Sequence, residues 1–270
     1  MFYRPSFLAG LLLVLAPFNQ AIAGADTSEA VEYLNLRILT SPADAALYAR
    51  RAGLFADKKN WPEAFADLQR LSDLGEEQRA TYLRGEFHAR QGQWHSAIRE
   101  FDRVIKRDSR NIPALLQRAK AHDAVGRAKP ALADYQRVLR LFPNAEYGAY
   151  RRTAELLLEL KGIDPALDFL DARMKTVGVI PQLQNLAITM TKQAKRYPEA
   201  MARLESLSVH YKSSPYWNVD MAEVLLLNKN SEQAKYHLQI AEHLLEARQQ
   251  TKASQRLAAQ IGQLKQQYQI

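Results

Sequence analysis

"NWPEA" fills residues 60–64 and "RYPEA" fills residues 196–200. Both run aromatic, Pro, Glu, Ala. The closing alanine serves as a marker for further copies. "QWHSA" ends at Ala97, "RAKPA" at Ala131, "GIDPA" at Ala166 and "NSEQA" at Ala234. From Ala64 through Ala200 to Ala234 the intervals are 33, 34, 35, 34 and 34 residues. A fixed period of that size is the signature of a repeat array, in which one supersecondary unit stacks on the next.

The chemistry around each marker says what the unit is. Pro62, Pro130, Pro165 and Pro198 stand just before their alanines. Proline is tolerated in the first turn of a helix, where its missing N–H has no partner to lose. A helix is therefore predicted to start at each corner. Four residues on come Leu68, Phe101, Tyr135, Leu170, Leu204 and Leu238, one turn along the same face. Three further on stand Leu71, Val104, Val138, Arg173, Leu207 and Ala241, apolar except for Arg173. A second helical stretch precedes each corner, closed by Gly92 and Gly126 in two copies. Small residues recur where the two helices would cross: Ala52, Gly85, Ala119, Ala154 and Ala222. Arg51, Arg84 and Arg118 recur one residue earlier, which predicts a structural role reaching across to the next repeat.

This pattern resembles the tetratricopeptide repeat. Residues 112–145 carry the fullest copy, with Leu115, Ala119, Gly126, Ala131, Tyr135 and Pro143. Residues 78–111 keep Gly85, Gly92, Trp94, Ala97 and Phe101, with Ser109 in place of the closing Pro, and residues 45–77 keep Ala52, Trp61 and Ala64. The copies starting at 147, 181 and 215 hold the period with weaker residues. The resemblance implies an all-α fold, an α-solenoid of about six helix-turn-helix repeats over 45–246, after a leading helix within 26–44. Residues 247–270 form the closing end. Leu257, Ile261, Leu264 and Tyr268 make one apolar stripe backed by Gln and basic residues, which predicts a C-terminal capping helix.

The remaining features concern location and charge. Residues 1–25 hold one charge, Arg4, then an apolar run from Phe7 to Ala16, then small residues suited to cleavage after Ala23 or Ala25. The run is far short of the ~20 residues that span a bilayer. This reads as a signal peptide, so the chain is expected to be exported, periplasmic or secreted, with no stable membrane span. Removing Arg4 from the net charge of +8 leaves 8 − 1 = +7. Residues 247–270 contribute Arg248, Lys252, Arg256 and Lys265 and no acid. An exported chain is not expected to meet nucleic acid. The absence of cysteine excludes thiol catalysis and disulfides.

Motifs for chemistry are missing. The sequence has no G-x-S-x-G, P-loop, dinucleotide fingerprint or HExxH. His88 and His122 share a repeat position and read as packing between helices. His237 and His243, six apart, fall on different faces. Trp61 and Trp94 sit at the repeat corner and read as packing. The expectation is a protein with no catalysis, no metal and no cofactor.

Function then falls to residues that do not recur. The resemblance implies a concave groove lined by the first helix of each repeat. By register its residues are Arg79, Tyr82, Glu86, Arg90, Lys120, Asp123, Arg151, Glu155, Asn185, Thr189, Lys192 and Gln193, ending with Tyr216 and Glu223. Some members of the family clamp a C-terminal carboxylate with Lys and Asn; Tyr82 and Glu86 stand where that clamp would need them, which argues against it. The chain is expected to be a scaffold or adaptor, monomeric or a small homo-oligomer, binding an envelope protein or extended peptide along the groove. The alternative is a binder of an anionic envelope polymer, glycan or lipopolysaccharide, suggested by the +7 charge and the acid-free end.

Overall fold

The computed structural model describes residues 27–246 and 251–270. The leader with its cleavage point and Arg248 lie outside the described residues. The chain divides into two compact units, one ending at Gly126 and one running over Arg127–Ile270. The repeat register carries no mark of this division, which falls inside the copy spanning 112–145.

The first unit contains α1 (Thr27–Thr40), the hairpin of α2 (Ala45–Asp57) and α3 (Trp61–Asp73), the hairpin of α4 (Glu77–Arg90) and α5 (Trp94–Arg107), and α6 (Ile112–Ala124). The second contains α7 (Ala128–Leu141), the hairpin of α8 (Tyr147–Lys161) and α9 (Ile163–Val177), and α10 (Pro181–Gln193). After α10 come α11 (Tyr197–Glu205), the single turn α12 (Ser208–Tyr211), the hairpin of α13 (Pro215–Leu227) and α14 (Ser231–Glu246), and α15 (Lys252–Tyr268). All described regular structure is helical.

The corner alanines do what their spacing implies. Ala64, Ala97, Ala131, Ala166, Ala200 and Ala234 are fully buried, and so are Leu68, Phe101, Leu170 and Leu238 one turn on. At the crossing, Ala52, Ala119, Ala154 and Ala222 are also fully buried. Gly85 shows how close the approach is, since a Cβ there would lie 2.6 Å from the buried Phe101 ring. Arg173 breaks the apolar stripe, and its buried Nε has no hydrogen-bond partner among the described residues. Its guanidinium lies 5.4 Å from the Tyr150 ring centre and donates to Asn144 Oδ1.

Gly92 and Gly126 end their helices at φ +72°, the left-handed conformation that glycine enters without a Cβ clash. Lys59, Lys195 and Lys229 hold the same place in other repeats, at φ 58°, 59° and 63°. The turn geometry survives where the residue that favours it does not.

Two sequence expectations change. The recurrent arginines do not share one partner. Arg51 grips Asp67 of its own hairpin at 2.9 and 2.6 Å, Arg84 donates to Glu77 of its own helix at 2.8 Å, and Arg118 reaches back to Asp102 on α5 at 2.6 Å. Also, the second helix of the copy starting at 181 breaks. α11 ends at Glu205 after nine residues, where α5 and α7 run fourteen. The buried Gln184 amide donates to Arg203 O and to Ser206 Oγ, and Trp217 Nε1 donates to Leu204 O. Those carbonyls would otherwise serve the next helical turn, and Leu207 N bonds Leu204 O in a tighter turn instead. Leu207 stays buried, so the stripe persists through the break.

The capping helix folds back as expected. Leu257, Ile261 and Leu264 bury against α13 and α14 within the core that holds Leu225, Leu238 and Leu245. A capping box between Thr251 and Ser254 starts it, and Lys265 is held by Glu242 at 2.6 Å.

Gly85→Val is expected to destabilise the first unit by about 1–3 kcal/mol through overpacking; denaturant unfolding should show the loss, and Phe101→Leu in the same chain should restore part of it. Lys59→Gly, Lys195→Gly and Lys229→Gly are each expected to stabilise by about 0.5–1 kcal/mol, relief of left-handed strain less the added freedom of the unfolded chain, read as small rises in melting temperature.

Candidate interaction face

In the first unit, α4 presents Arg79, Leu83, Glu86 and Arg90 at intervals of 4, 3 and 4, one stripe of its surface. Three clefts border this stripe. Glu86, Arg90 and Lys120 surround one of about 400 Å³, whose walls include Phe87, Trp94 and Gln117. Arg79 and Tyr82 line another of about 380 Å³ with Asn111 and Pro113. The structure therefore brings together five of the residues that register alone assigns to the groove. Asp123 is half-buried on α6 and lines none of these three clefts.

The charges here are set by their neighbours. Arg90 donates to Asp57 at 2.7 Å, a pair between equivalent positions of successive hairpins. Tyr82 donates to Glu86 at 3.0 Å. Burial pushes the Glu86 carboxyl above its ordinary range, against the opposing pull of Tyr82, Arg90 and Lys120. Burial also raises the Tyr82 phenol. Arg79 makes no ion pair among the described residues.

The third cleft, about 700 Å³, is one that the register does not reveal. Arg37, Arg50 and Arg79 converge on it with Asp44 over a floor containing Leu47 and Leu83. It is open because the places of Arg79, Tyr82 and Glu86 are held in the first hairpin by Ala46, Ala49 and Gly53. A Cβ on Gly53 would meet nothing within 4 Å. The signal lay in that run of small residues, which also reads as plain helix. Trp94 was missed for the opposite reason, since recurrence at the corner marks it as packing. Trp61 does pack, 6.2 Å from the Phe87 ring. Trp94 lines the cleft beside it.

In the second unit the corresponding residues are largely engaged with one another. Arg151 and Arg152 both pair with Glu155 on α8. Lys192 bridges to Glu223 on α13 at 2.9 Å. Asn185, Thr189 and Gln193 are exposed on α10, and Thr189 Oγ1 donates to Asn185 O of its own helix. Tyr216 is exposed. The histidines read as packing stay so: His122 is buried, and His88 sits 5.1 Å from the Phe65 ring. Among the described residues no group of three His, Asp or Glu could hold a metal ion, and no helix is long and apolar enough to cross a membrane.

Stacked antiparallel helix pairs define a helical-repeat protein. Residues 113–145 match the family model of the tetratricopeptide repeat, and the chain folds as a tetratricopeptide-repeat solenoid. The C-terminal part of a TPR repeat-containing protein from Cytophaga hutchinsonii is similar at 15% identity, over 86% of this chain and 94% of that one, with a TM-score of 0.63. Pseudomonas aeruginosa PilF is similar at 17% identity over 74% and 89%, TM-score 0.51. A tetratricopeptide repeat protein from Parabacteroides merdae is similar at 15% identity over 87% and 92%, TM-score 0.50. No curated protein matches the chain in sequence. At these identities the likeness is one of fold. That fold generally mediates protein–protein interaction and is typically non-catalytic.

The sign of the Glu86 shift gives a test. A carboxyl raised on folding favours the protonated native state, so its contribution is greatest below its ordinary value and is lost as pH rises through the raised one. Glu86→Gln should therefore melt higher than the parent at neutral pH, and the difference should close as pH falls below the ordinary glutamate range.

Proposed function

We propose that this protein is a non-catalytic scaffold of the bacterial cell envelope, exported by its leader, and that it holds an extended segment of a partner protein along the face made by α2, α4 and α6. The observation that carries the reading is the α4 stripe bordered by three clefts. Arg79, Glu86 and Arg90 alternate in sign along it with Tyr82 beside them, and Lys120 faces them from α6. Its rigid helical backing means that little ordering entropy is lost when a segment lies on it. The clefts take side chains, and the charges of both signs fix register and direction. In the second unit Asn185, Thr189 and Gln193 are exposed on α10, while Lys192 is paired with Glu223 and Arg151 with Glu155, which suits a supporting role. The anionic-polymer reading loses ground at Lys265, because Glu242 neutralises it.

Crosslinking of the mature protein in its native envelope, followed by mass spectrometry, tests the proposal. One dominant protein is expected, and it should be lost when Tyr82, Arg90 and Lys120 are replaced together by alanine in a chain that keeps its helical circular dichroism. Glycan or lipid alone, or capture indifferent to the triple change, would overturn the reading.

A further inference from the structure

The repeats differ in one internal interaction, and the difference points to a second site. In the third copy Arg118, one residue before the small residue at the crossing, reaches back to Asp102, five residues after the preceding corner alanine, at 2.6 Å. In the first copy Arg51, at the same place, is held by Asp67, three residues after its own corner alanine. In the last hairpin the register puts Met221 at the arginine's place, Glu205 at that of Asp102 and His237 at that of Asp67. The two flanking partners remain, one acidic and one an imidazole, and the cation between them is replaced by a thioether.

These three residues line a single cleft of about 610 Å³ between α11, α13 and α14. Met201, Met221 and Leu225 make its apolar floor, and Met221 and Leu225 are only 5% and 4% exposed. Glu205 and Glu232 stand at its rim, and no Lys or Arg lines it. Glu205 is exposed and makes no ion pair or side-chain hydrogen bond among the described residues. Tyr236 is 62% exposed at the edge, its ring 5.6 Å from that of His237. Asn218 donates its amide to Lys212 O and Ser214 O, so its oxygen faces His237 Nδ1 at 2.9 Å and fixes the proton there. His237 Nε2 is then an acceptor on the cleft-lining ring. Burial lowers the His237 pKa, so the ring is neutral at neutral pH and does not oppose a cation.

We infer that this cleft receives an arginine side chain from a partner protein, in a segment that is basic and apolar. Its guanidinium takes the place that Arg118 holds in the third copy, paired with Glu205. Its carbon stem lies on Met201, Met221 and Leu225. Charge complementarity selects a cation, and the flat guanidinium suits a carboxylate and the Tyr236 and His237 rings better than an ammonium does. Flexible methionines on the floor accept apolar neighbours of varied shape. The inference belongs to the second unit and does not depend on the α2–α4–α6 face.

The test is fluorescence anisotropy with the full mature chain. The probe is a short labelled peptide with a central arginine flanked by leucines, compared with twins carrying lysine or glutamate at the centre. The arginine peptide is expected to bind, the lysine peptide more weakly and the glutamate peptide not at all. Glu205→Gln should weaken binding by about tenfold or more, the loss of one charge-assisted hydrogen bond. Met221→Arg is expected to fill the cleft with the chain's own guanidinium, abolishing binding while melting at or above the parent temperature. If that variant does not fold, Glu205→Gln and Tyr236→Ala, both at exposed positions, decide. Equal binding of the arginine and glutamate peptides, or parent-like binding by Glu205→Gln, would overturn the inference. A lysine peptide that binds as tightly would overturn the assignment to arginine. Self-association in sedimentation velocity that Met221→Arg abolishes would put a second copy of this chain in the cleft instead.

Discussion

Two helices can lie side by side in each hairpin only if the side chains between them are nearly absent. Alanine at every corner, and alanine or glycine at most crossings, meet that condition, and the larger Leu, Phe and Tyr residues one turn away then reach the shared core. A single added methyl at Gly85 would strike Phe101. Everything else in the fold is conditional on this spacing. The hairpins have a common thickness, so they can stack. Within each unit the first helices then fall side by side, and their side chains become a surface.

The constraint is tight inside the hairpin and loose around it, and the differences between copies show where. The left-handed turn is kept by glycine at Gly92 and by lysine at Lys59. The arginine that ties helices together with Asp67 or Asp102 gives way to Met221. One second helix is broken outright by two side chains, Gln184 and Trp217, that take its carbonyls. In each case the core positions hold while polar bonding around them is rearranged. Repeat folds tolerate this because each unit depends mainly on its neighbours.

Those rearrangements are also where recognition can arise. The first hairpin has Ala46, Ala49 and Gly53 where the second has Arg79, Tyr82 and Glu86, and that difference in bulk opens an arginine-lined cleft on an otherwise regular face. In the last hairpin, loss of one internal cation leaves Glu205 and His237 around an apolar floor. A surface built by repetition acquires specificity where the repetition fails, because a side chain that no longer serves the stack is free to meet something else.

The sequence by itself determined the period, the helix starts, the buried alanines and the stripes that follow them. These are local in origin, fixed by proline in a first turn, by the 3.6-residue periodicity and by the intolerance of close helix crossings for bulk. It also placed Arg79, Tyr82, Glu86, Arg90 and Lys120 on one face, since register carries over from copy to copy. Only the tertiary structure decided which charges on the first helices pair between helices, as Arg90 does with Asp57 and Lys192 with Glu223. It alone showed that Arg118 reaches backward, that α11 stops at Glu205, and that Trp94 borders a cleft while Trp61 packs against Phe87. The reason is the same each time. A period specifies where a side chain starts, whereas these partners stand on another helix, thirteen or more positions away, at a distance set by how the helices pack.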